Sequence, residues 1–431
     1  MLINRWFGIL ISFLVLVVFN LISYFKDVFY FTSAESYFHL LRYNYFDNFL
    51  YFFLTNSAFD RFFILFLGFL FLVFFSFVLS ELGFKDKTVF YSLILVSISP
   101  FFIYMYTSIL PISLAALLVV LHIYLFIRKS YFSVFLVPLI FFSSYVLGLF
   151  YFLLFLCFGF VNLNIKKIRF FYFSLSIFVL SIIYFFKLDY FLYEEVSNFF
   201  VFFIEVGFLY SISIPLIILG ICGVYISWKR TLNNNLLILF FVLSFFIGFL
   251  FREVFLFFGL VLVVYSSIFI NSFISRDWNV ELIKNFFVIT IICVFLFSVL
   301  SFNYLSLQKH DVNSLRVLES FDDGLVLSSL DNGFAISYFS GKDVFLDSFS
   351  FLDSNFSYKF EDFEVMLFSR DLEEVSYLFE KHNISYVFVT NDMRDRVWFS
   401  RNDGLLFLFN TQRFERIYYG DEVSIYEFIS S

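Results

Sequence analysis

Only three cysteines occur in the 431 residues, Cys157, Cys222 and Cys293, and each falls inside an apolar run. A disulfide framework on a water-exposed face is therefore excluded. Charged residues make up only 15% of the chain, and the net charge of −7 argues against a nucleic-acid surface. There is no glycine-rich nucleotide loop, no zinc-type spacing of Cys and His, no serine-nucleophile elbow and no internal repeat. Apolar residues fill the chain instead: 61% are hydrophobic and the mean hydropathy is +0.91. The 79 phenylalanines read as a choice among lipid-compatible side chains rather than as an aromatic ligand site.

Runs of about twenty apolar residues recur through the first part of the chain, the signature of a polytopic α-helical membrane protein. Spans are expected near 5–24, 62–80, 89–106, 109–127, 131–147, 149–164, 170–186, 209–227, 235–251, 254–272 and 285–303, with one long helix as the alternative across 131–164. That makes about eleven transmembrane helices. The first has no small-residue cleavage site and reads as an uncleaved helix. With the N-terminus cytoplasmic, the inner segments hold Arg5, Lys85, Lys87, Arg128, Lys129, Lys166, Lys167, Arg169, Lys229, Arg230, Arg276 and Lys284. The outer segments before the tail hold only Lys26, Arg42, Arg61, Lys187 and Arg252. Retention of basic residues inside thus predicts a multi-pass cell-membrane protein with an extracytoplasmic C-terminal domain.

Near residue 304 the composition turns mixed and acidic, which divides the chain into a membrane domain, 1–303, with a first outer loop at 25–61, and a small α/β domain, 304–431. Within the latter, Leu325 to Leu330 reads as a buried strand, Asp331 to Ser340 as a helix or turn, and Asp343 to Leu346 as an extended piece. Leu372, Val375, Leu378 and Phe379 have helical spacing, and Ile384 to Val389 then reads as a strand, which suggests a βαβ element. Phe414 to Tyr419 and Val423 to Phe428 form a hairpin about Gly420-Asp421.

Polar chemistry is concentrated just after the first span, in Ser33-Ala34-Glu35-Ser36-Tyr37-Phe38-His39-Leu40-Leu41-Arg42. Helical spacing would put Glu35, His39 and Arg42 on one face, where the carboxylate can accept a proton or hold a divalent cation. The same residues also read as a hydrated loop in which Glu35 pairs with Arg42. Glu205, next to a helix entering lipid, is costly unless it faces water or protein, whereas Glu194-Glu195 reads as a solvated face. Arg252 at an outer boundary could hold a phosphate oxygen pair, pair with Glu253 or snorkel to the interface. His122, inside a span, reads as a packed or hydrogen-bonded histidine.

Glu35-Ser36-Tyr37-Phe38-His39-Leu40-Leu41-Arg42 resembles the Asp-Pro-Tyr-Tyr-His-Leu-Arg run in the first outer loop of archaeal oligosaccharyltransferase catalytic subunits, members of the GT-C glycosyltransferase superfamily. The tail run Ser328-Ser329-Leu330-Asp331-Asn332-Gly333, followed by Ile336, Tyr338, Gly341-Lys342 and Asp347, is similar to a degraded form of that family's Trp-Trp-Asp-Tyr-Gly region. Ile204-Glu205 is similar in place to its outer-loop Thr-Ile-x-Glu motif, and Ser99-Pro100 with the following turn fits the superfamily layout. There are departures. Glu replaces Asp at 35, Arg42 comes one residue late, and the turn Thr107-Ser108-Ile109-Leu110-Pro111-Ile112 lacks the family's second acidic motif. Ser329 and Leu330 stand where two tryptophans are expected.

The resemblance implies a membrane glycosyltransferase that moves a sugar from a polyprenyl-phosphate donor to a protein or glycan acceptor at the outer face. Glu35 and Glu205 would be its catalytic acids, His39, Arg42 and Arg252 its donor-phosphate ligands, and Asp331 an acceptor-binding residue. A divalent cation, Mg or Mn, would bind through Glu35 if at all, and metal-free transfer with Glu35 as base fits the remaining residues better. One alternative is an oligosaccharyltransferase-like N-glycosylation enzyme, from which the missing tryptophans point away. Another is a non-catalytic relative that binds lipid-linked glycan. A transporter is disfavoured because the spans are nearly free of ionisable residues. The orientation has a direct check. Alkaline phosphatase fused after residue 303 is expected to be active and the same fusion after residue 167 inactive, and the reverse pattern would refute it.

Overall fold

The computed structural model describes residues 5–25, 57–107, 111–128, 130, 132–144, 147–152, 214–227, 242, 244–246, 254–276, 286–287, 289–290, 309–347, 350, 356–391, 393–394, 398, 404–420 and 423–429. They fall into two compact units, one of apolar helices and one that includes the described residues from 309 onwards.

Two described helices are long and apolar enough to cross a membrane, Phe62–Glu81 and Phe255–Ile274, and the bent pair Asp86–Ser97 and Pro100–Thr107 makes a third if it is one span. Shorter apolar helices cover Arg5–Leu21, Ile112–Ile127, Phe132–Phe141 and Pro215–Ser227. Of the eleven expected spans, 170–186 lies outside the described residues, as does most of 149–164, 235–251 and 285–303. The bend of 66° has a local cause. Pro100 supplies no N–H to continue the preceding helix, and Ser99 turns its hydroxyl back onto the Val96 carbonyl at 2.5 Å. Within 131–164 the helix ends at Ser143, and Ser144 starts another turn: its Oγ accepts from Leu147 N–H at 3.2 Å and its carbonyl from Gly148 N–H.

The Phe255–Ile274 helix is buried along most of its length, and three neighbours are fitted to it. A Cβ on Gly223 would lie 1.9 Å from the Tyr265 carbonyl oxygen, and one on Gly220 would lie 2.3 Å from Leu262, so the Ile214–Ser227 helix approaches backbone to backbone. The Ser266 hydroxyl donates to the Leu216 carbonyl at 3.2 Å. From the Asp86–Ser97 helix, the Ser92 hydroxyl donates to Ser267 Oγ at 2.7 Å, and Asn271 Nδ2 donates to Thr88 Oγ1 at 3.2 Å. Phe101 fills the space beside Gly259.

At one end of this unit Arg5 donates to Ser80, and Arg128 forms an ion pair with Glu81 through Nε and Nη2. At the ends of these helices remote from that pair, the Asn20 amide donates to the Leu16 and Tyr106 carbonyls at 3.0 and 3.4 Å.

The second unit is a four-stranded sheet of order β1-β2-β4-β3, formed by Leu325–Leu327 (β1), Ile384–Thr390 (β2), Phe414–Tyr419 (β3) and Val423–Phe428 (β4). β1 and β2 are parallel, as the βαβ expectation requires, and β2, β4 and β3 run antiparallel in succession. Alternation along β2 divides the core: Val387 and Val389 pack with Phe379, Met366 and Leu408, whereas Tyr386 and Phe388 pack with Leu315, Ile336 and Ile425. Asp371 caps the Leu372–His382 helix by accepting from Glu373 and Glu374 N–H, and Asn383, with φ of 55°, turns the chain into β2. That helix is tied to Phe356–Phe368 through Asp362, which accepts from Lys381 at 2.6 Å and lies 2.7 Å from His382 Nε2. Burial raises the Asp362 carboxyl, but these hydrogen bonds outweigh it and leave it below its ordinary range.

The close helix approach sets a prediction. Gly223→Ala forces the two backbones apart and is expected to cost about 2 kcal/mol. Cys222→Ala, one residue away, should cost less than about 0.5 kcal/mol. Melting temperatures of the detergent-solubilised variants measure the difference, and equal values would show that the helices are not held in contact here.

Candidate functional site

The tail segment from Ser328 to Asp347 begins where β1 ends. Parallel strands leave a crevice beyond their carboxyl ends, and the chain is shaped there by side-chain bonds to its own backbone. Ser328 donates to the Phe388 carbonyl of β2 at 2.8 Å, and Asn332 Nδ2 donates back to Ser328 Oγ at 3.2 Å. Between them a 3-10 turn, Leu330–Asn332, carries Asp331 into the Gly333–Ser340 helix. Position 333 has to be glycine, because a Cβ there would lie 2.6 Å from Asp347 Cβ and 3.0 Å from its Cα. This contact seats Asp347 at the start of the helix, two residues from Asp331.

The helix ends at Gly341, whose φ of +67° suits glycine, and Lys342 then turns inward. Its side chain is buried, with Nζ donating to the carbonyls of Phe321 and Asp322 at 2.9 and 2.6 Å and standing 5.4 Å from the centre of the Tyr386 ring. Burial, followed by the carboxylates of Glu427, Asp322 and Asp323, raises the Tyr386 phenol above its ordinary value. From Lys342 the chain runs beside β1, with Val326 N–H donating to Asp343 O and Phe345 N–H to Val326 O, both at 2.9 Å. Of the tail residues quoted from sequence, the fold therefore brings Asp331 and Asp347 to the carboxyl edge and sends Lys342 to the amino end of β1.

Across that edge Thr390, at the end of β2, accepts from Met393 N–H at 3.1 Å. Ser328 Oγ lies 4.0 Å from Met393 Sδ, and the next residue, Arg394, donates through Nη2 to Ser424 Oγ of β4 at 2.7 Å. Sequence reasoning missed Arg394. It lies in the mixed run Asn391-Asp392-Met393-Arg394-Asp395, whose spacing carries no signal.

Glu35, His39, Arg42, Glu205 and Arg252 lie outside the described residues. The turn without the second acidic motif is described at its flanks, where hydroxyls bond within the preceding helix and between it and the helix that follows. Thr107 donates to the Ile103 carbonyl at 2.8 Å, Ser113 to the Met105 carbonyl at 2.5 Å and the Tyr106 phenol to the Ser113 carbonyl at 3.2 Å. These residues offer no charged ligand. Among the described residues no three His, Cys, Asp or Glu come together as a metal-holding group. His122 is fully buried with Nδ1 2.6 Å from the Tyr151 hydroxyl, as expected for a packed, hydrogen-bonded histidine.

No known family profile matches the chain, and no curated protein matches it in sequence. Solved structures do match it in fold. The apo oligosaccharyltransferase of Archaeoglobus fulgidus superposes over 90% of this chain and 70% of its own, with a TM-score of 0.65 at 11% identity. The chain shares the fold of the archaeal oligosaccharyltransferases. The same neighbour in complex with an inhibitory peptide and a dolichol-phosphate gives a TM-score of 0.62 at 11% identity, again over 90% and 70%. Its complex with Zn and sulfate gives 0.61 at 13% identity, over 90% and 68%. The GT-C resemblance read from scattered motifs is thus matched by an oligosaccharyltransferase-like fold across nearly the whole chain.

The buried lysine gives the test of this local architecture. Lys342→Met leaves the carbonyls of half-buried Phe321 and exposed Asp322 without their donor and is expected to cost about 1–2 kcal/mol. A fall in melting temperature relative to Lys359→Met, on a partly exposed helix, would bear this out, and no fall would show that water replaces the ammonium.

Proposed function

We propose that the protein is a membrane glycosyltransferase that transfers a sugar from a polyprenyl-phosphate-linked donor to an acceptor at the outer membrane face. One observation carries the reading: a fold shared with an oligosaccharyltransferase over 90% of the chain, in a sequence that places an acid, an imidazole and a guanidinium after its first apolar helix. That neighbour has been solved with a dolichol-phosphate and a peptide, which supports a lipid-linked donor here. In this reading Glu35 accepts the proton of an acceptor hydroxyl, His39, Arg42 and Arg252 hold the departing lipid phosphate, and Glu205 orients the acceptor. Asp331, whose backbone lies at the carboxyl edge of the sheet, contributes to acceptor binding from the tail. The ligand set is incomplete for a divalent cation of the family type, because the turn at 107–112 contains no carboxylate.

A second reading, transfer to asparagine, is favoured by the peptide-bound neighbour and opposed by Ser329 and Leu330 in place of tryptophans. A third, a non-catalytic binder of lipid-linked glycan, is favoured by the absent second carboxylate. Purified protein supplied with total lipid-linked sugars from its own membranes and mixed acceptors separates the three. Wild-type protein is expected to transfer sugar in the presence of chelator, and Glu35→Gln to lower the rate at least about 100-fold without lowering the melting temperature. Chelator-sensitive transfer to an asparagine peptide would select the second reading. Lipid-linked sugar bound without turnover would select the third.

A further inference from the structure

The residue at the carboxyl edge that the proposed function does not use is Arg394. Its guanidinium is held in place on one side: Nη2 donates to Ser424 Oγ at 2.7 Å, and Ser424 is 1% exposed. Its Nε is shut off from water and has no hydrogen-bond partner. A guanidinium on an unconstrained surface side chain would turn to hydrate that N–H. Leaving it orphaned is costly, so the group is fixed by its surroundings rather than by solvent. Among the described residues no carboxylate pairs with it, although acidic residues outnumber basic ones in this unit. Nη1 and the second hydrogen of Nη2 remain as an open, planar pair of donors. Through Met393 and Ser328 the group adjoins Asn332, the neighbour of Asp331.

We propose that Arg394 is a receptor for one carboxylate carried by the acceptor, gripped end-on by Nη1 and Nη2. A single guanidinium matches a single negative charge and the planar oxygen pair of a carboxylate. A phosphate group carries more charge and, in an acidic unit, calls for further cations, and no second described cation bonds to Ser424, Met393 or Asn332. The acceptor role rests on the glycosyltransferase reading, whereas the binding site does not.

The test therefore uses binding. The full-length protein in detergent is titrated at constant ionic strength with glucuronate, N-acetylglutamate, glucose and inorganic phosphate, and its melting temperature is followed. A saturable rise with glucuronate or N-acetylglutamate, absent with glucose, is expected. It should weaken roughly tenfold in Arg394→Lys, which keeps the charge but loses the fork, and vanish in Arg394→Gln. The stronger of the two carboxylates identifies a sugar or an amino acid as its source. A rise that survives Arg394→Gln, a response to phosphate alone, or no response to any probe would overturn the proposal. Arg394-dependent carboxylate binding in a protein that transfers no sugar would leave the site standing and remove only the glycosyltransferase reading.

Discussion

Two apolar helices in lipid gain little from touching each other, since lipid tails are as apolar as their side chains. The Phe255–Ile274 helix must therefore be held by close approach and by hydrogen bonds, and both are present. Gly220 and Gly223 let the Ile214–Ser227 backbone come against Leu262 and Tyr265, while Ser92, Thr88 and Leu216 take part in bonds to Ser267, Asn271 and Ser266. Such bonds contribute about 0.6 kcal/mol each in a membrane, so their value lies as much in fixing rotation and register as in stability. Phe101, across from Gly259, carries that order into the bent segment Pro100–Thr107.

The α/β unit follows another logic because it has a buried sheet. Its polar side chains are spent on backbone groups around the sheet and at a helix start: Ser328 on Phe388 of β2, Lys342 on Phe321 and Asp322 ahead of β1, and Asp371 on Glu373 and Glu374. The first two sets of bonds fix the path from β1 through Asp331 to Asp347. That path brings both residues to the carboxyl edge, where Arg394 bonds to Ser424 of β4.

The strands at 384–389, 414–419 and 423–428 were legible in the sequence because runs rich in β-branched and aromatic residues, and the turn-forming Gly420-Asp421, mark them without help from tertiary contacts. The helix over Leu372–His382 was legible from the helical spacing of Leu372, Val375, Leu378 and Phe379, and the structure adds Asp371 as its cap. The Phe356–Phe368 helix was not, because its apolar and charged residues are mixed and only packing against the sheet orders them. The break at Ser144 left one helix or two undecided in sequence, since a serine within an apolar run gives no sign of which hydrogen bonds it makes. The outer-loop run at 33–42 gave the family resemblance from residue types alone, and the shared fold agrees with it. Arg394 had no sequence signal at all: its meaning comes from Ser424 thirty residues away and from an N–H left without a partner.

The order of the sheet has a consequence for biogenesis. β4 lies between β2 and β3, yet residues 423–428 are the last of the four strands to leave the ribosome. Until they are made, β2 pairs only with the three residues of β1, and its other edge is bare. The unit thus folds after synthesis of this stretch rather than during it, with Val387 and Val389 exposed in the interval. A chain with this strand order depends on speed or on an escort to keep that edge from pairing with a neighbour.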